Sequence, residues 1–329
     1  MRAAVIEGDG ADKRLIVRDI PAPTPGPDEL LVRVHSSSLN QADLRMAASH
    51  FRASENPAAE SYAIGGLEFA GEVIGWGDQV SGFAVGDRVM AMGGGGWAEF
   101  AVIDNRLAIP VPRSYEWSEA AASAISFVTA HDALVRAAGF TSGESLLVNG
   151  ATSAAGLAAV QIGALLDAAL IVGTTRQRSS LDILRAAGCS LPVNTTESDL
   201  VESVHGELPE GVAVAIDVVG GDTLDTMVAC MQLQGRIVSL GRVGGARSTV
   251  DLDEFARRRI TLRGTTFRTR SKEERFEVIQ RFVREVGPFM ESGVLRPVLT
   301  DAITLDDVPD LRRLLSERSG VGKITVRIS

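Results

Sequence analysis

The alternation of apolar and polar positions changes character near residue 122. Up to that point, short β-branched runs such as 30–34 and 72–74 are separated by glycine turns, which predicts a β-rich region. From about residue 123, strand-like apolar runs alternate with helical segments, a pattern typical of a parallel sheet with helices on both faces. The run 323–328 has strand character again, and we expect it to rejoin the first region.

This pattern predicts a two-domain α/β protein. Residues 1–122 and 296–329 form the β-rich domain in this interpretation, and residues 123–295 form an inserted, doubly wound domain. A cleft between such domains is a preferred position for a ligand. In the inserted domain we predict strands at 146–148, 169–172, 212–217 and 235–240, and helices at 181–187, 224–231 and 276–286.

A tract of small residues follows the first of these strands and leads into a helical segment. The tract consists of Gly150, Ala151, Thr152, Ser153, Ala154, Ala155 and Gly156. Small side chains at such a turn allow backbone N–H groups to approach a pyrophosphate, whose negative charge the helix dipole favours. The pattern G-x-G-x-x-G is incomplete, because Ala151 and Ser153 replace two of its glycines. An alanine-rich buried helix is the alternative interpretation of the tract.

The end of the second predicted strand favours one of the two nicotinamide cofactors. In a dinucleotide-binding fold this strand normally ends in an acid that binds ribose hydroxyls. Here Thr174, Arg176 and Arg178 stand among further hydroxyl groups, and the segment contains no carboxylate. Guanidinium groups and hydroxyls match a 2′-phosphate, which an acid would repel. We therefore predict NADPH as the cofactor (NADP in its oxidised form), with a solvated surface turn as the alternative.

Composition excludes several other classes of protein. The chain has 329 residues, of which 45% are hydrophobic and 23% charged, and these shares are ordinary for a globular enzyme. A net charge of -9 argues against nucleic acid or an anionic membrane as the main partner. No apolar run approaches the roughly 20 residues that a membrane-spanning helix needs. The two cysteines, Cys189 and Cys230, cannot form a disulfide framework, and we expect a cytoplasmic protein.

At this point the chain resembles the medium-chain dehydrogenase/reductase superfamily, in particular its quinone oxidoreductase branch. The resemblance covers nearly the whole chain. It rests on residues 38–44 (SLNQADL), 65–73 (GGLEFAGEV), 86–91 (GDRVMA), 129–130 (TA), 150–156 and 322–324 (GKI). The segment 264–270 (GTTFRTR), with a long helix and 295–298 (LRPV) after it, is most similar to the tumour-suppressor-inducible quinone reductases. The fold implied is a GroES-like β-rich domain with a Rossmann-type doubly wound sheet.

The resemblance also implies that this protein binds no zinc. Zinc-dependent relatives carry a cysteine at the position of Asn40 and a histidine at that of Leu67, and neither residue present here replaces those ligands. The loop with four cysteines that holds a structural zinc is missing as well. We therefore expect a metal-independent member of the superfamily.

The resemblance assigns residues to the cofactor and to the substrate. It places Thr129 and Asn40 at the nicotinamide end and lines the cofactor with Ser239, Leu240 and Gly241. The complete predicted cofactor set is Asn40, Thr129, Ala151, Thr152, Ser153, Ala154, Ala155, Gly156, Thr174, Arg176, Arg178, Ser239, Leu240, Gly241 and Lys323. The candidate substrate residues are Asn40, His50, Phe51, Trp97 and Phe127. Simpler alternatives are a capping hydroxyl for Thr129, a turn residue for Asn40, an exposed loop residue for His50 and core packing for the aromatic side chains.

The predicted reaction is reduction of a quinone, or of a similarly activated conjugated carbonyl, by hydride from NADPH. Relatives commonly have a tyrosine at the position of Phe51, which has no hydroxyl to donate. A quinone needs no dedicated acid, because its reduced phenolate takes a proton from water, and no catalytic side chain is assigned. An NADPH-dependent enone or enoyl reductase is the alternative reaction. A non-catalytic NADPH-binding protein of structural or regulatory role is the alternative of another class.

The resemblance also implies a homodimer. Family members commonly join their nucleotide-domain sheets edge to edge. Residues 260–264 have the pattern of an apolar edge strand, and such an unpaired edge invites pairing with a second copy.

Overall fold

The computed structural model describes residues 1–8, 14–44, 62–317 and 320–329. Their contacts divide the chain into two compact units. Unit 1 comprises Met1–Ile125 and Lys272–Ser329, and unit 2 comprises Ser126–Ser271. The candidate substrate residues His50 and Phe51 lie outside the described residues.

Unit 1 is built mainly from strands. Its strands are β1 (Arg2–Glu7), β2 (Arg14–Asp19), β3 (Glu29–Ser38), β4 (Glu68–Trp76), β5 (Arg88–Met92), β6 (Phe100–Asp104), β7 (Ile109–Pro110), β14 (Leu299–Thr304) and β15 (Lys323–Arg327). Its helices are α7 (Lys272–Glu285), α8 (Gly287–Glu291) and α9 (Leu311–Glu317), together with most of α1 (Trp117–His131), which contains the boundary to unit 2.

The sheets of unit 1 confirm that the C-terminal strand rejoins the β-rich region. β1 pairs with β2 in an antiparallel ribbon. The larger sheet has the strand order β14-β15-β3-β4-β5-β7, with β6 also paired to β3. β15 lies antiparallel to β3, and Thr325 is opposite Ser38. This pairing brings Lys323, at the start of β15, close to the residues that follow β3.

The boundary of the units differs from the one drawn on the sequence. The sequence boundary at 295 assigned the amphipathic helix to the inserted domain, whereas α7 and α8 belong to unit 1. α7 packs against the turn Asn105–Leu107 and against β7, both of which are part of unit 1, and its Val278, Ile279 and Phe282 are buried. Amphipathic spacing predicted the helix, but it does not specify which sheet the apolar face covers.

Unit 2 alternates strands and helices along its whole length. Its strands are β8 (Ser145–Asn149), β9 (Leu170–Thr175), β10 (Leu191–Asn194), β11 (Val212–Asp217), β12 (Met231–Ser239) and β13 (Thr261–Gly264). Its helices are α2 (Ala154–Leu165), α3 (Leu181–Ala186), α4 (Leu200–Glu207), α5 (Leu224–Cys230) and α6 (Leu252–Arg257), after a π-helical turn at Asp132–Ala137.

The sheet of unit 2 confirms the predicted Rossmann-type topology. All its strands are parallel, in the order β10-β9-β8-β11-β12-β13. Every residue of β8 and β11 is buried, as expected for central strands covered on both faces. The strand order reverses between β8 and β11, and ligands of open α/β sheets bind at the carboxyl ends of the strands on either side of such a reversal.

None of the helices among the described residues is long and apolar enough to cross a bilayer. The cytoplasmic location predicted from the sequence stays a prediction.

Candidate functional site

The turn between β8 and α2 depends on two glycines. Gly150 has φ of 78°, a left-handed conformation that side chains rarely adopt. A Cβ on Gly156 would lie 2.4 Å from the carbonyl oxygen of Gly150 and 2.8 Å from the Cα of Ala151. Glycine at 156 is therefore required for the close packing of α2 on the turn, although two other glycines of the usual pattern are replaced.

Ser153 replaces one of those glycines and caps the helix. Its Oγ accepts a hydrogen bond from the N–H of Gly156 at 3.1 Å and donates one to the carbonyl of Gly150 at 2.8 Å. The N–H groups of Ala154 and Ala155 lie in the first helical turn, where no helical carbonyl accepts from them. Free N–H groups and the positive end of the helix dipole fit the pyrophosphate of a dinucleotide.

A buried polar network fixes this turn to the neighbouring strands. The hydroxyl of Thr174 accepts from the N–H of Gly150 and donates to Oδ1 of Asn149, both at 2.9 Å. Nδ2 of Asn149 donates to Oδ1 of Asp217 at 2.9 Å and to the hydroxyl of Thr223 at 3.0 Å. The network therefore joins the carboxyl ends of β9, β8 and β11. The hydroxyl of Thr174 thus supports the turn, and the predicted contact of Thr174 with the cofactor stays a prediction.

Asn149 and Asp217 were not among the predicted site residues. Each is the last residue of a mostly apolar strand, and each is buried. Oδ1 of Asp217 also accepts the N–H groups of Val219 and Gly220, both at 3.0 Å. A polar residue that ends a buried parallel strand is the signal that could have identified them, because such residues converge at one edge of the sheet.

The end of β12 lies directly beside the end of β11. The carbonyl oxygen of Asp217 accepts from the N–H groups of Leu240 and Gly241 at 2.9 and 3.0 Å. A Cβ on Gly241 would lie 1.7 Å from the carbonyl oxygen of Val218, so this position requires glycine. Ser239 and Leu240 are half-buried at the same edge of the sheet. The structure thus brings this predicted segment next to the reversal point, and its contact with a cofactor stays a prediction.

The predicted phosphate-binding arginines lie on the surface after β9. Arg176 and Arg178 are both exposed. Nη1 of Arg178 is 3.4 Å from Oε2 of Glu197, a residue of the turn after β10. No carboxylate directly follows β9 in the sequence, but Glu197 approaches Arg178 from elsewhere in unit 2. Sequence order could not show this neighbour.

A second polar cluster lies in unit 1, around the buried carboxylate of Glu68. Oε1 of Glu68 is 2.6 Å from Nζ of Lys323 and accepts a hydrogen bond from Nδ2 of Asn40 at 3.0 Å. The hydroxyl of Ser38 also donates to Oε1, and the N–H of Ile125 donates to Oε2 at 2.7 Å. The Lys323 ammonium makes a second contact, to Oδ1 of Asn40 at 2.6 Å. The side chain of Lys323 is 4% exposed and that of Glu68 is 0% exposed.

Local structure positions each member of this cluster. Asn40 follows β3 in a turn that is closed by its N–H to Oδ2 of Asp43 at 2.7 Å. Glu68 is the first residue of β4, and Lys323 is the first residue of β15. The amide of Asn40 therefore bonds other side chains rather than its own backbone, unlike the simple turn residue considered as the alternative. Lys323 was predicted at the cofactor, and that role stays a prediction.

The donor groups of the cluster do not match a zinc site. Asn40 offers an amide whose oxygen faces an ammonium, and Leu67 offers no ligand atom. Within the described ranges, no group of three or more histidine, cysteine, aspartate or glutamate side chains is arranged to hold a metal.

The remaining predicted site residues that the structure describes are Trp97, Phe127 and Thr129. Trp97 is buried with Leu39 and Ile324 in a hydrophobic cluster of unit 1, and its Nε1 donates to the carbonyl of Ser38 at 3.2 Å. Phe127 is buried, while Thr129 is half-buried near the end of α1. In the part of the chain that the structure describes, the Thr129 hydroxyl makes no hydrogen bond. Their contacts with ligands stay predictions.

The cysteines are not candidates for chemistry. Cys189 and Cys230 are both buried and unbridged. Burial raises the pKa of the Cys189 thiol to about 11 and that of the Cys230 thiol to about 12. Because the thiolate is the reactive form, both side chains are inert near neutral pH.

Comparison with known proteins gives concordant matches in both units. The family described as alcohol dehydrogenase GroES-like domain matches residues 26–113, and the zinc-binding dehydrogenase family matches residues 154–284. A quinone oxidoreductase-like protein 2 homolog from Nematostella vectensis is 28% identical over 320 residues, which cover 95% of this chain and 86% of the relative. Prostaglandin reductase-3 of Bos taurus is 31% identical over 236 residues, which cover 71% of this chain and 61% of the relative.

A solved structure extends the match to the whole fold. The crystal structure of an NAD-dependent alcohol dehydrogenase superposes with a TM-score of 0.82 at 26% identity, and the match covers 100% of both chains. The fold and the family together imply a nicotinamide dinucleotide, NAD or NADP, as cofactor. The chain therefore belongs to the medium-chain dehydrogenase/reductase superfamily of oxidoreductases, and it is similar to members of that superfamily named quinone oxidoreductase-like proteins.

Proposed function

We propose that this oxidoreductase reduces quinones, or similarly activated conjugated carbonyls, by hydride transfer from NADPH and without a metal ion. The proposal rests on the hydrogen-bond donors that surround the carboxylate of Glu68. An amide, a hydroxyl and an ammonium meet its carboxylate where zinc-dependent relatives are expected to carry a thiolate ligand. Unactivated alcohols need a Lewis acid or a strong base for hydride removal, whereas a quinone accepts hydride with little assistance.

The residues of the chain would bind and orient the reactants. When bound, the dinucleotide supplies the hydride, and the protein contributes positioning and electrostatics. The first turn of α2 would bind the pyrophosphate through its N–H groups, and Gly150 and Gly156 allow the close turn that leads into this helix. Asn40 donates a hydrogen bond to the substrate oxygen, and water supplies the proton that completes the reduction. Phe127 and Trp97, with His50 and Phe51, remain the proposed apolar and polar lining of the substrate site.

The preference for NADPH is supported by the two exposed arginines after β9. Replacing both by alanine should raise KM for NADPH by at least about tenfold, because charged hydrogen bonds to phosphate contribute about 1.5–3 kcal/mol each. KM for NADH should change little. Arg185→Ala is a matched control, because Arg185 is a similarly exposed arginine of unit 2 that pairs with Asp182. An equal effect on both cofactors would show that these arginines do not bind the 2′-phosphate.

The substrate class is tested by a screen of acceptors. NADPH oxidation is measured with benzoquinones and naphthoquinones, with alkenals and with enoyl thioesters. We expect the quinones to give the highest kcat/KM. The prostaglandin reductase among the relatives supports an enone reductase as the second candidate. Turnover of enoyl thioesters alone would contradict the quinone assignment, and cofactor binding with no turnover of any acceptor would favour a non-catalytic NADPH-binding protein.

We also propose that two copies associate through β13. This strand lies at the edge of the unit 2 sheet, its four residues are exposed, and Leu262 is an exposed apolar side chain on it. An exposed edge strand with an apolar side chain pairs readily with another copy. Sedimentation velocity should give a dimer for the wild type and a monomer for Leu262→Lys. A wild-type protein that sediments as a monomer at all concentrations would refute this assembly.

A further inference from the structure

The amide of Asn40 is held in one orientation by two buried charges. Its oxygen accepts from the Lys323 ammonium at 2.6 Å, and its nitrogen donates to the Glu68 carboxylate at 3.0 Å. If the amide were turned over, its NH₂ group would face the ammonium and its oxygen would face the carboxylate. Both contacts would then be repulsive, so the charge pair fixes the orientation of the amide.

Among the described residues, one of the two N–H donors of the Asn40 amide has no hydrogen-bond acceptor. The NH₂ group carries two hydrogens, of which one is used by Glu68. Among the described residues the second N–H has no acceptor, and Asn40 is only half-buried. The ammonium on the carbonyl oxygen also polarises the amide, which makes the remaining N–H a stronger donor. Asn40 thus offers an oriented, strengthened donor at a position that a ligand can reach.

Such a donor has a use in the proposed reaction. Reduction of a quinone takes one hydride from the reduced nicotinamide and one proton from water. The negative charge that comes with the hydride collects on a quinone oxygen until that proton arrives. A preorganised N–H directed at an oxygen where charge develops lowers the barrier to reaction.

We propose that Glu68 and Lys323 are positioning residues, which hold Asn40 so that its N–H rather than its carbonyl meets this oxygen. The inference rests on the proposed quinone reduction. In this arrangement Asn40 touches the substrate, while the charge pair acts only through Asn40. The pair is thereby assigned a part in the reaction in addition to its structural role.

The decisive variant is the double substitution Glu68→Gln with Lys323→Met. Removing the ammonium alone would leave an uncompensated buried carboxylate and endanger folding. The double variant is neutral at both positions. The glutamine oxygen can take the place of Oε2 and accept from the N–H of Ile125, while its NH₂ group takes the place of Oε1, where the Ser38 hydroxyl can turn to accept from it. We expect its unfolding midpoint in urea to stay near that of the wild type. We expect kcat for a quinone to fall by at least about tenfold, since loss of one donor to a developing oxyanion costs about 10²–10³-fold.

A double-mutant cycle with Asn40→Ala distinguishes positioning of Asn40 by the charge pair from a general structural effect of the double substitution. If the pair acts through Asn40, the double substitution should lower kcat in the wild-type background and have no further effect in the Asn40→Ala background. Lys323→Arg should retain kcat within a few-fold of the wild type, because the guanidinium can still contact both Asn40 and Glu68.

Binding of 4-nitrophenolate in the presence of NADP gives a readout that does not depend on turnover. Calorimetry should show about tenfold weaker binding of this phenolate to the double variant, because the donor to its oxygen has lost its orientation. A double variant with wild-type kcat and phenolate affinity would overturn the inference while leaving quinone reduction intact, as would an equal loss in the Asn40→Ala background. A wild-type protein that reduces no quinone would overturn both the proposed function and this inference.

Discussion

In unit 1 the Lys323 ammonium is 4% exposed and lies 2.6 Å from a fully buried carboxylate, whereas in unit 2 the Arg178 guanidinium is 81% exposed and lies 3.4 Å from Glu197. The first cation is almost entirely buried against its protein partners and cannot move without leaving Glu68 uncompensated. The second cation keeps its water and can turn toward an incoming ligand. A buried cation is thus suited to hold a neighbouring group, and an exposed one to bind an anion from solution.

The largest effect is expected on the stability of the Lys323→Met variant, which tests the buried pair of unit 1. Removal of one partner from a buried pair leaves the other charge unpaired, so the free energy of unfolding should fall by about 3–5 kcal/mol. Urea denaturation followed by circular dichroism measures the change. Adding Glu68→Gln to this variant should restore most of the lost free energy of unfolding. Arg313→Gln is the control in unit 1, because its pairs with Asp310 and Glu317 are exposed, and it should leave the midpoint unchanged. A single Lys323→Met variant of wild-type stability would show that the pair does not behave as a buried one.

A smaller effect is expected from Thr174→Val in unit 2, where the buried network is mostly neutral. The substitution leaves the N–H of Gly150 and Oδ1 of Asn149 without partners, which should cost about 1–3 kcal/mol. Because the same bonds shape the turn before α2, dinucleotide affinity measured by calorimetry should fall as well. Thr174→Ser keeps the hydroxyl and serves as the control. Equal behaviour of the valine and serine variants would mean that the hydroxyl does not support the turn.

Added salt should weaken NADPH binding at the exposed arginines of unit 2 but should hardly change the contribution of the buried pair in unit 1. Exposed charges are screened when the Debye length shortens from about 10 Å at 0.1 M to about 3 Å at 1 M. Over that range the Kd for NADPH should rise by about fivefold more than the Kd for NADH, because the exposed arginines would contact only the 2′-phosphate. The stability difference between the wild type and Lys323→Met should be nearly constant in the same buffers. Identical salt dependence for both cofactors would contradict the proposed role of Arg176 and Arg178.

The smallest expected effect comes from Glu197→Gln. Removing this carboxylate frees Arg178 and ends its repulsion of a phosphate, so NADPH should bind up to about fivefold more tightly, within the range of exposed ion pairs. Affinity for NADH and the unfolding midpoint should not change. Titration of both cofactors by calorimetry measures the effect. Weaker binding of NADPH to this variant would indicate that Glu197 assists the cofactor rather than competing with it.

Much of the fold could be predicted because local patterns are strong in unit 2. The segment predicted as a strand at 212–217 coincides with β11, and the helices α3 and α5 agree with their predicted bounds within a residue. Continuous apolar runs are typical of buried parallel strands, and they show clearly in a single sequence. The short elements β10 and α6 escaped prediction, since neither has enough residues to establish a period.

The candidate site could be predicted only where its residues are neighbours in the chain. The turn 150–156 and the arginines after β9 belong to single segments, and local composition indicated their chemistry. Asn149 and Asp217 are 68 positions apart, and Lys323 is separated from Asn40 by 283. Their positions at strand ends could have placed Asn149 and Asp217 at one edge of the sheet, but no sequence signal shows which side chains bond each other. No pattern in the sequence links Lys323 to Asn40.

By itself, the sequence determined the α/β class, the dinucleotide-type turn, the family and the presence of two cations where an acid is usual. These features depend on interactions between near neighbours, such as helical periodicity and turn chemistry. Only the tertiary structure decided that Glu197 faces Arg178, that α7 belongs to unit 1, and that Glu68 and Lys323 hold Asn40 between them. The physical reason is that burial and pairing of charges depend on which strands become adjacent in a sheet, and this adjacency is set by the packing of the whole unit.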